Sequence, residues 1–428
     1  MARAELSRRG SGRALGAAGL GAVLGGAAGG ATARADERTW RTTGTAVSAL
    51  RGFDDAMRTF MRERGITAGQ LAVTWRGRLV LARGYSWSTG PGLDVQPTSL
   101  FRIVSVSKPV TAAALVRLVQ DGELDLSAPI TSVLDLAPPP EGTAGPRLPE
   151  VTLRRLLRHT GGWDRDASGD VMFADASIAR ALGTSLPVER PDIMSYATGR
   201  RLDHAPGTTY AYSNYGYLLA GRAIEQASGK SYADHVQEAV RGPVGITRTR
   251  LGRMAEEHRA ATEVPYVSRY TGTTVLDSSG ATVAAPYGRW NLENMDAHGG
   301  WLASAVDLVR FATIFDGSGT GVLDATSVAR TFAEPETVIN GNGSYHGLGW
   351  SVRATSGGTG RNTWHTGSLD GTYTIRVRTY HEMSWAALFN QRDDASGLSY
   401  PSIDGALWTA AGEVTSWPDR DESPQHLG

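Results

Sequence analysis

The 428-residue chain contains no cysteine. Disulfides, thiolate metal sites and a lipid-anchored cysteine are therefore excluded, and stability must come from a packed core. Net charge is absent too: 43 Lys+Arg stand against 43 Asp+Glu. That balance argues against a nucleic-acid or anionic-membrane surface as the main business. No H-E-x-x-H or comparable ligand spacing occurs around His298, His346 or His381, so no metal site is expected. No G-x-S-x-G is present, which removes the nucleophile elbow of one large hydrolase fold. The glycines at 317–321 follow an apolar helix rather than a strand, so no dinucleotide loop is expected. Lysine is the last scarcity. Of the 43 basic residues only Lys108 and Lys230 are lysine, and the rest are arginine.

What remains has the composition of a soluble globular protein, with 41% hydrophobic and 20% charged residues. The N-terminus reads as an address. Ser7-Arg8-Arg9 precedes an uncharged run from Ala14 to Ala33, and Ala33-Arg34-Ala35 offers a small-residue cleavage site. This pattern predicts a twin-arginine-like export signal over 1–35, with an uncleaved membrane anchor as the alternative.

Periodicity organises the rest. Leu50, Phe53, Met57, Phe60 and Met61 repeat at three and four, predicting a helix over 47–64 that Gly65 ends. "GQLAVTWRGRLVLARGYS" predicts a hairpin turning at Arg76-Gly77. Residues 110–119 are apolar on nearly every side, the mark of a buried central helix. "VTLRRLLRHTGGW", "GYLLAGRAIEQASG", "SYADHVQEAVRGPVG" and "GGWLASAVDLVRFATIF" add helices. "GTYTIRVRTY" and "SWAALFN" read as neighbouring antiparallel strands, and "SIDGALWTAAGEV" as a closing helix. The last dozen residues, mostly polar, are expected to fray. The fold expected is α+β: one antiparallel sheet built from both ends of the chain with flanking helices, plus a mainly helical lobe at about 110–290. A cleft between the two is the natural place for a site.

Ser105 and Lys108 lie three residues apart, on one face of a helix or closer still in a 3₁₀ turn. Pro109 favours the tighter turn by disfavouring helical geometry at Lys108. A serine at a helix N-terminus sits among free N–H groups. It needs a base to become a nucleophile; arginine cannot serve, but a lysine with a lowered pKa can. The serine-as-cap, lysine-by-chance reading competes with this until other motifs are counted.

Two are. "PGTTYAYSNYGYLLAG" carries Tyr212 and Asn214 two apart, so a phenol and an amide point the same way in an extended loop. "NTWHTGSLDGTYTIRV" carries His365-Thr366-Gly367 just before a strand, where glycine admits a substrate backbone to the sheet edge. S-x-x-K, Y-x-N and [K/H]-T-G in this order resemble the penicillin-recognising serine hydrolases: class C β-lactamases, D-alanyl-D-alanine carboxypeptidases, D-aminopeptidases and related esterases. "LLRHTGGW" and "GGWLASAVDLVRF" resemble the same superfamily, which the chain matches over about 45–415.

The resemblance implies a hydrolase domain over 36–428 that needs no cofactor or metal. Ser105 would form an acyl-enzyme, Lys108 would take or relay its proton, and Tyr212 would shuttle a proton to the leaving group. Asn214 would bind the substrate's acyl amide. The N–H groups of Ser105 and Ser368 would form the oxyanion hole, with His365, Thr366 and Gly367 along the opposite wall. Histidine in place of lysine in the third motif points away from antibiotic hydrolysis. Arg376 and Arg378 share a strand face and are candidates for a substrate carboxylate. His159 reads as a loop organiser. Trp163, Trp301 and Trp364 lie near the motifs. The expected activity is D-alanyl-D-alanine carboxypeptidase-like, with a small-molecule esterase, amidase or β-lactamase as alternatives. Acyl transfer to an amine stays open. The reading from another class is a non-catalytic sensor of cell-wall fragments or β-lactams. Substrates are small peptides, esters or β-lactams, and the export machinery is the one protein partner implied.

Overall fold

Strand pairing in the computed structural model, which describes residues 38–89, 93–316, 319–337, 339–355 and 360–427, joins the two ends of the chain in one sheet. The expected export signal lies outside the described residues. The strands are β1 (Thr39–Thr43), β2 (Ala68–Trp75), β3 (Arg78–Ser88), β4 (Ser344–His346), β5 (Ser351–Ala354), β6 (Arg361–Leu369), β7 (Thr372–Arg378) and β8 (Met383–Phe389). Their order is β1-β3-β2-β8-β7-β6-β5-β4, antiparallel throughout. Arg76 and Gly77 turn β2 into β3 with φ of 51° and 75°, the two positive values a two-residue hairpin requires.

One face of the sheet carries the terminal helices α1 (Arg51–Arg64) and α5 (Ile403–Gly412). Phe53, Met57, Phe60 and Met61 of α1 pack there with Ile403 and Leu407, as the spacing predicts. Gly65, at φ 67°, ends α1. The other face meets α4 (Ala305–Ala312), and α2 (Lys108–Gln120) and α3 (Asn214–Ser228) of the helical middle pack on each other within the same core. α2 is buried along most of its length because α3 and the shorter helices of the middle surround it. This is the α+β arrangement expected from the sequence.

Several pieces escape the sequence reading. β1, β4 and β5 are too short to show periodicity. A three-stranded sheet joins residues 101–102, 301–303 and 250–251, drawn from distant parts of the chain. The polar tail does not fray. Trp417 stacks on Trp75 at 4.7 Å, the Glu422 N–H donates to the Leu79 carbonyl at 2.8 Å, and the Glu422 side chain is buried beside Arg420. A polar segment stays fixed when its backbone completes a sheet edge, which composition does not reveal.

Candidate active site

Ser105 sits in a 3₁₀ turn, Val104–Ser107, that runs directly into α2. Lys108 itself is regular helix (φ −60°, ψ −43°). The expectation that Pro109 would displace Lys108 from helical geometry therefore fails, although the tight turn it was meant to explain is present one step earlier. Pro109 is tolerated because the second residue of a helix needs no N–H partner. Val104 adopts φ 45°, a left-handed conformation for a β-branched residue, which costs about 1–3 kcal/mol. Its neighbours hold it there. The Ile103 N–H donates to the Trp301 carbonyl at 3.1 Å, and Thr372 Oγ1 donates to the Arg102 carbonyl at 2.9 Å.

Lys108 is fully buried, with Nζ 3.2 Å from Ser105 Oγ, 2.7 Å from Asn214 Oδ1 and 3.0 Å from the His298 carbonyl oxygen. Burial pushes its pKa well below 10.5; the Asp170 carboxylate opposes that shift and Arg165 adds to it. A neutral amine has two N–H groups and one lone pair. The two shorter contacts are to carbonyl oxygens, which can only accept. The third direction, towards Ser105, is left for the lone pair, and there the serine hydroxyl is the donor.

Asn214 opens α3, with Ser213 capping the helix through Oγ to the Gly216 N–H at 3.2 Å. Tyr212 alone lies in the extended loop. Asn214 is buried, and its Nδ2 donates to Asp170 Oδ2 at 2.6 Å. Its amide thus bridges Lys108 to Asp170 rather than standing open for a substrate amide. Asp170, half-buried and pushed upward in pKa by desolvation, was not recognised in the sequence. Nothing in its loop of charged residues marks it out.

The Tyr212 phenol hydrogen-bonds Ser105, and burial raises its pKa well above 10.0. Lys108 Nζ lies 4.8 Å from its ring centroid. His159 holds the tyrosine loop on both sides: its carbonyl accepts from the Ala211 N–H at 2.9 Å and its Nδ1 from the Ser213 N–H at 3.1 Å. Its ring stacks on Tyr212 at 4.3 Å. These contacts are those of the loop organiser that the sequence suggests.

β6 forms the facing wall. β5 pairs with it only as far as Trp364, so from His365 onward that side has no sheet neighbour. Gly367 passes against the nucleophile turn; a Cβ there would lie 2.1 Å from the Ile103 carbonyl oxygen and 3.2 Å from the Ser105 nitrogen. What this glycine admits is the protein's own backbone, not a substrate strand. His365 is buried, donates Nδ1–H to the Thr366 carbonyl at 2.7 Å, and is pushed down to about 3 by burial and by Lys108. It is therefore no fixed cation. Thr366 and Ser368 alternate to the opposite face and are exposed.

Arg376 and Arg378 are not open to a ligand. Arg376 is wholly buried against Trp350 and Phe311 at 4.2 and 4.6 Å, and Arg378 is engaged by Asp316 and the Phe315 carbonyl. The arginines beside the motif are others. Arg392 donates to Ser368 Oγ at 3.3 Å and to Asp370 at 2.8 Å, and Arg289 contacts the same buried Asp370 at 3.3 Å. Two guanidinium groups on one carboxylate leave a net positive charge next to Ser368. Trp301 is core, with Nε1 donating to the Tyr232 hydroxyl at 2.9 Å; Trp163 packs on Tyr215 at 5.0 Å and Trp364 under the terminal helices. A wide cleft of about 1080 Å³ lies elsewhere, among Arg190, Arg222, Glu225 and Glu293. It does not contain Ser105, and the convergence of side chains, not volume, picks out the candidate site.

A profile of the beta-lactamase family matches residues 53–401. Penicillin-binding protein 4 of Amycolatopsis lactamdurans is 30% identical over 288 residues, 64% of this chain and 66% of that protein. Esterase EstB of Burkholderia gladioli is 33% identical over 45% of this chain and 48% of its own length. The D-alanyl-D-alanine-carboxypeptidase/endopeptidase AmpH of Escherichia coli K12 is 30% identical over 42% of this chain and 44% of its own length. The chain thus spans less than two thirds of the curated relatives it matches. Among solved structures, the octameric penicillin-binding protein homologue of Pyrococcus abyssi superposes with TM-score 0.64 at 21% identity, over 87% of this chain and 79% of that one. The D-amino acid amidase of Ochrobactrum anthropi, complexed with L-phenylalanine amide, gives TM-score 0.64 at 21% identity over 86% and 99%. At that identity the likeness is one of fold.

Proposed function

Because this chain belongs to the beta-lactamase family of serine hydrolases, we propose that it cleaves D-alanyl-D-alanine-type peptides through an acyl-enzyme on Ser105. The observation that carries this reading is the amine of Lys108, buried, pushed towards neutrality and left with its lone pair on Ser105 Oγ at 3.2 Å. Ser105 attacks the scissile carbonyl carbon and gives its proton to Lys108. The oxyanion forms against the N–H groups of Ser105 and Ser368, an arrangement that supplies a few kcal/mol in such sites. Tyr212 gives its phenolic proton to the leaving nitrogen as the C–N bond breaks, and regains one from Lys108. Water then adds to the acyl carbon, its proton passing to the same groups, and Ser105 leaves with a proton restored.

The preference for a peptide with a free carboxylate rests on Arg289 and Arg392, whose shared Asp370 leaves one positive charge beside Ser368. A competing esterase reading draws on Phe173 and Trp290, packed edge to face at 4.8 Å and clustered with Val104 and Leu369. Those rings offer an apolar wall for an acyl group. The deciding experiment compares a D-alanyl-D-alanine peptide, its C-terminal amide and a short-chain nitrophenyl ester. Arg392→Ala should raise KM for the free peptide at least several-fold and leave the amide and ester unchanged, while Arg376→Met changes none. Turnover of the ester alone would favour the esterase. Absence of any Ser105 adduct with a fluorophosphonate would remove the hydrolytic reading.

A further inference from the structure

The surroundings of Tyr212 are rich in nitrogen and poor in charge. α2 supplies Lys108, the turn after residues 153–157 supplies His159, the tyrosine's own loop supplies Tyr210, and α3 supplies Tyr217; His365 and His346 lie beyond. Burial presses Lys108, His159, His346 and His365 towards their neutral forms. The remaining segment, residues 165–173, contributes the Asp170 carboxylate and one guanidinium. Arg165 Cζ lies 4.5 Å from the Tyr212 ring centroid. A guanidinium keeps its charge at any pH the protein meets. Its ion pairing among the described residues is one loose contact with Asp166 at 3.8 Å, and that carboxylate is 90% exposed.

The Arg165 side chain is 43% exposed, but the backbone that carries it is held. Asp164 caps the turn through the Asp166 N–H at 2.9 Å and pairs with His204 Nε2 at 2.9 Å. Asp203 accepts from the Asp164 N–H at 2.8 Å and from Ser168 Oγ at 2.9 Å. Both ends of the four-residue turn are therefore tied down, and Arg165 is laid over the phenol from the solvent side.

We propose that Arg165 is a positioning residue for proton transfer, holding a fixed positive charge against the ring of Tyr212 so that the phenol can release its proton to the leaving group. The inference rests on the acyl-enzyme reading above. When Tyr212 protonates the departing atom it is left as a phenolate until Lys108 returns a proton, and Arg165 stabilises that anion. The electrostatic pull of Arg165 on Tyr212, opposed to the effect of burial, agrees with this placement. Arg165 supplies the permanent cation that a neutral His365 does not.

The test uses two uncharged esters of one acyl group: a nitrophenyl ester, whose leaving group departs without a proton, and an ethyl ester, whose leaving group needs one. Arg165→Met should slow acylation by the ethyl ester roughly five- to tenfold and leave acylation by the nitrophenyl ester within about twofold. Arg165→Lys should restore most of the loss. Equal losses with both esters would make Arg165 merely structural and overturn the proposal. So would no loss, or a loss confined to KM for a carboxylate-bearing peptide, which would make Arg165 a grip on substrate. Failure of the wild-type protein to acylate at Ser105 would overturn both the proposal and the reading beneath it; an acylated but Arg165-insensitive enzyme would overturn the proposal alone.

Discussion

Lys108 Nζ and Asn214 Oδ1 are 2.7 Å apart, and the amide passes the contact on to Asp170 at 2.6 Å. The base is thus held by a group that is itself held, and its direction towards Ser105 is fixed by what occupies its other valences. Lys108→Arg keeps the charge and much of the bulk but cannot surrender a proton. Acylation of Ser105 by a fluorophosphonate should fall by about 10²–10⁴, measured as the rate of adduct formation by intact mass. Arginine at wild-type rate would show that the amine is no base.

Asp170→Asn tests the far end of the same chain. Burial lowers the Lys108 pKa and the Asp170 carboxylate raises it again. Removing that negative charge therefore lets the amine lose its proton at still lower pH. The acid limb of the rate profile, where Lys108 must become neutral, should move down in pH. An upward movement would contradict the assignment. Because asparagine can still accept from Asn214 Nδ2, the geometry is kept and the charge alone is read.

Gly367→Ala asks whether β6 and the nucleophile turn can part. The added methyl would stand 2.1 Å from the Ile103 carbonyl oxygen, a backbone atom with little freedom to yield. We expect a loss of at least about 2 kcal/mol in stability, read as a fall in Tm, together with loss of Ser105 labelling. Retained labelling at unchanged Tm would show that the strand can shift away from the turn.

The distance from sequence to site explains what could be read and what could not. Ser105 and Lys108 were legible because a single helical turn brings them together, and because lysine is conspicuous among arginines. Tyr212 and His365 were legible as motifs, although 107 and 260 positions from Ser105 in the numbering. Asp170 was not, since its contact with Asn214 depends on how a loop folds back over α3. Arg376 misled for a related reason. Alternation correctly puts it and Arg378 on one face of β7, but only the packed structure shows that Trp350 and Phe311 close over that face. The tail misled because its polarity suggested solvent, whereas its backbone has a sheet edge to finish.

That edge gives the last prediction. β1 pairs with β3 only from Gly84 onward, leaving the start of β3 without a neighbour on that side. The tail takes the place: Asp421 accepts the Leu79 N–H at 3.1 Å, and the Leu79 carbonyl accepts the Glu422 N–H at 2.8 Å. Trp417, stacked on Trp75 and tilted against Phe53 at 6.4 Å, anchors the approach. Trp417→Ala should cost ~1–2 kcal/mol, and deletion of residues 417–427 more, both read as a lowered Tm. The deletion should also raise the tendency to aggregate, because it bares a row of unpaired N–H and C=O groups. Since the tail covers the edge of β3 and contacts none of Ser105, Lys108 or Tyr212, Ser105 labelling per folded molecule should stay at the wild-type level in the Trp417 variant. A Tm unchanged by the deletion would mean that the tail's contacts contribute nothing to the stability of the sheet.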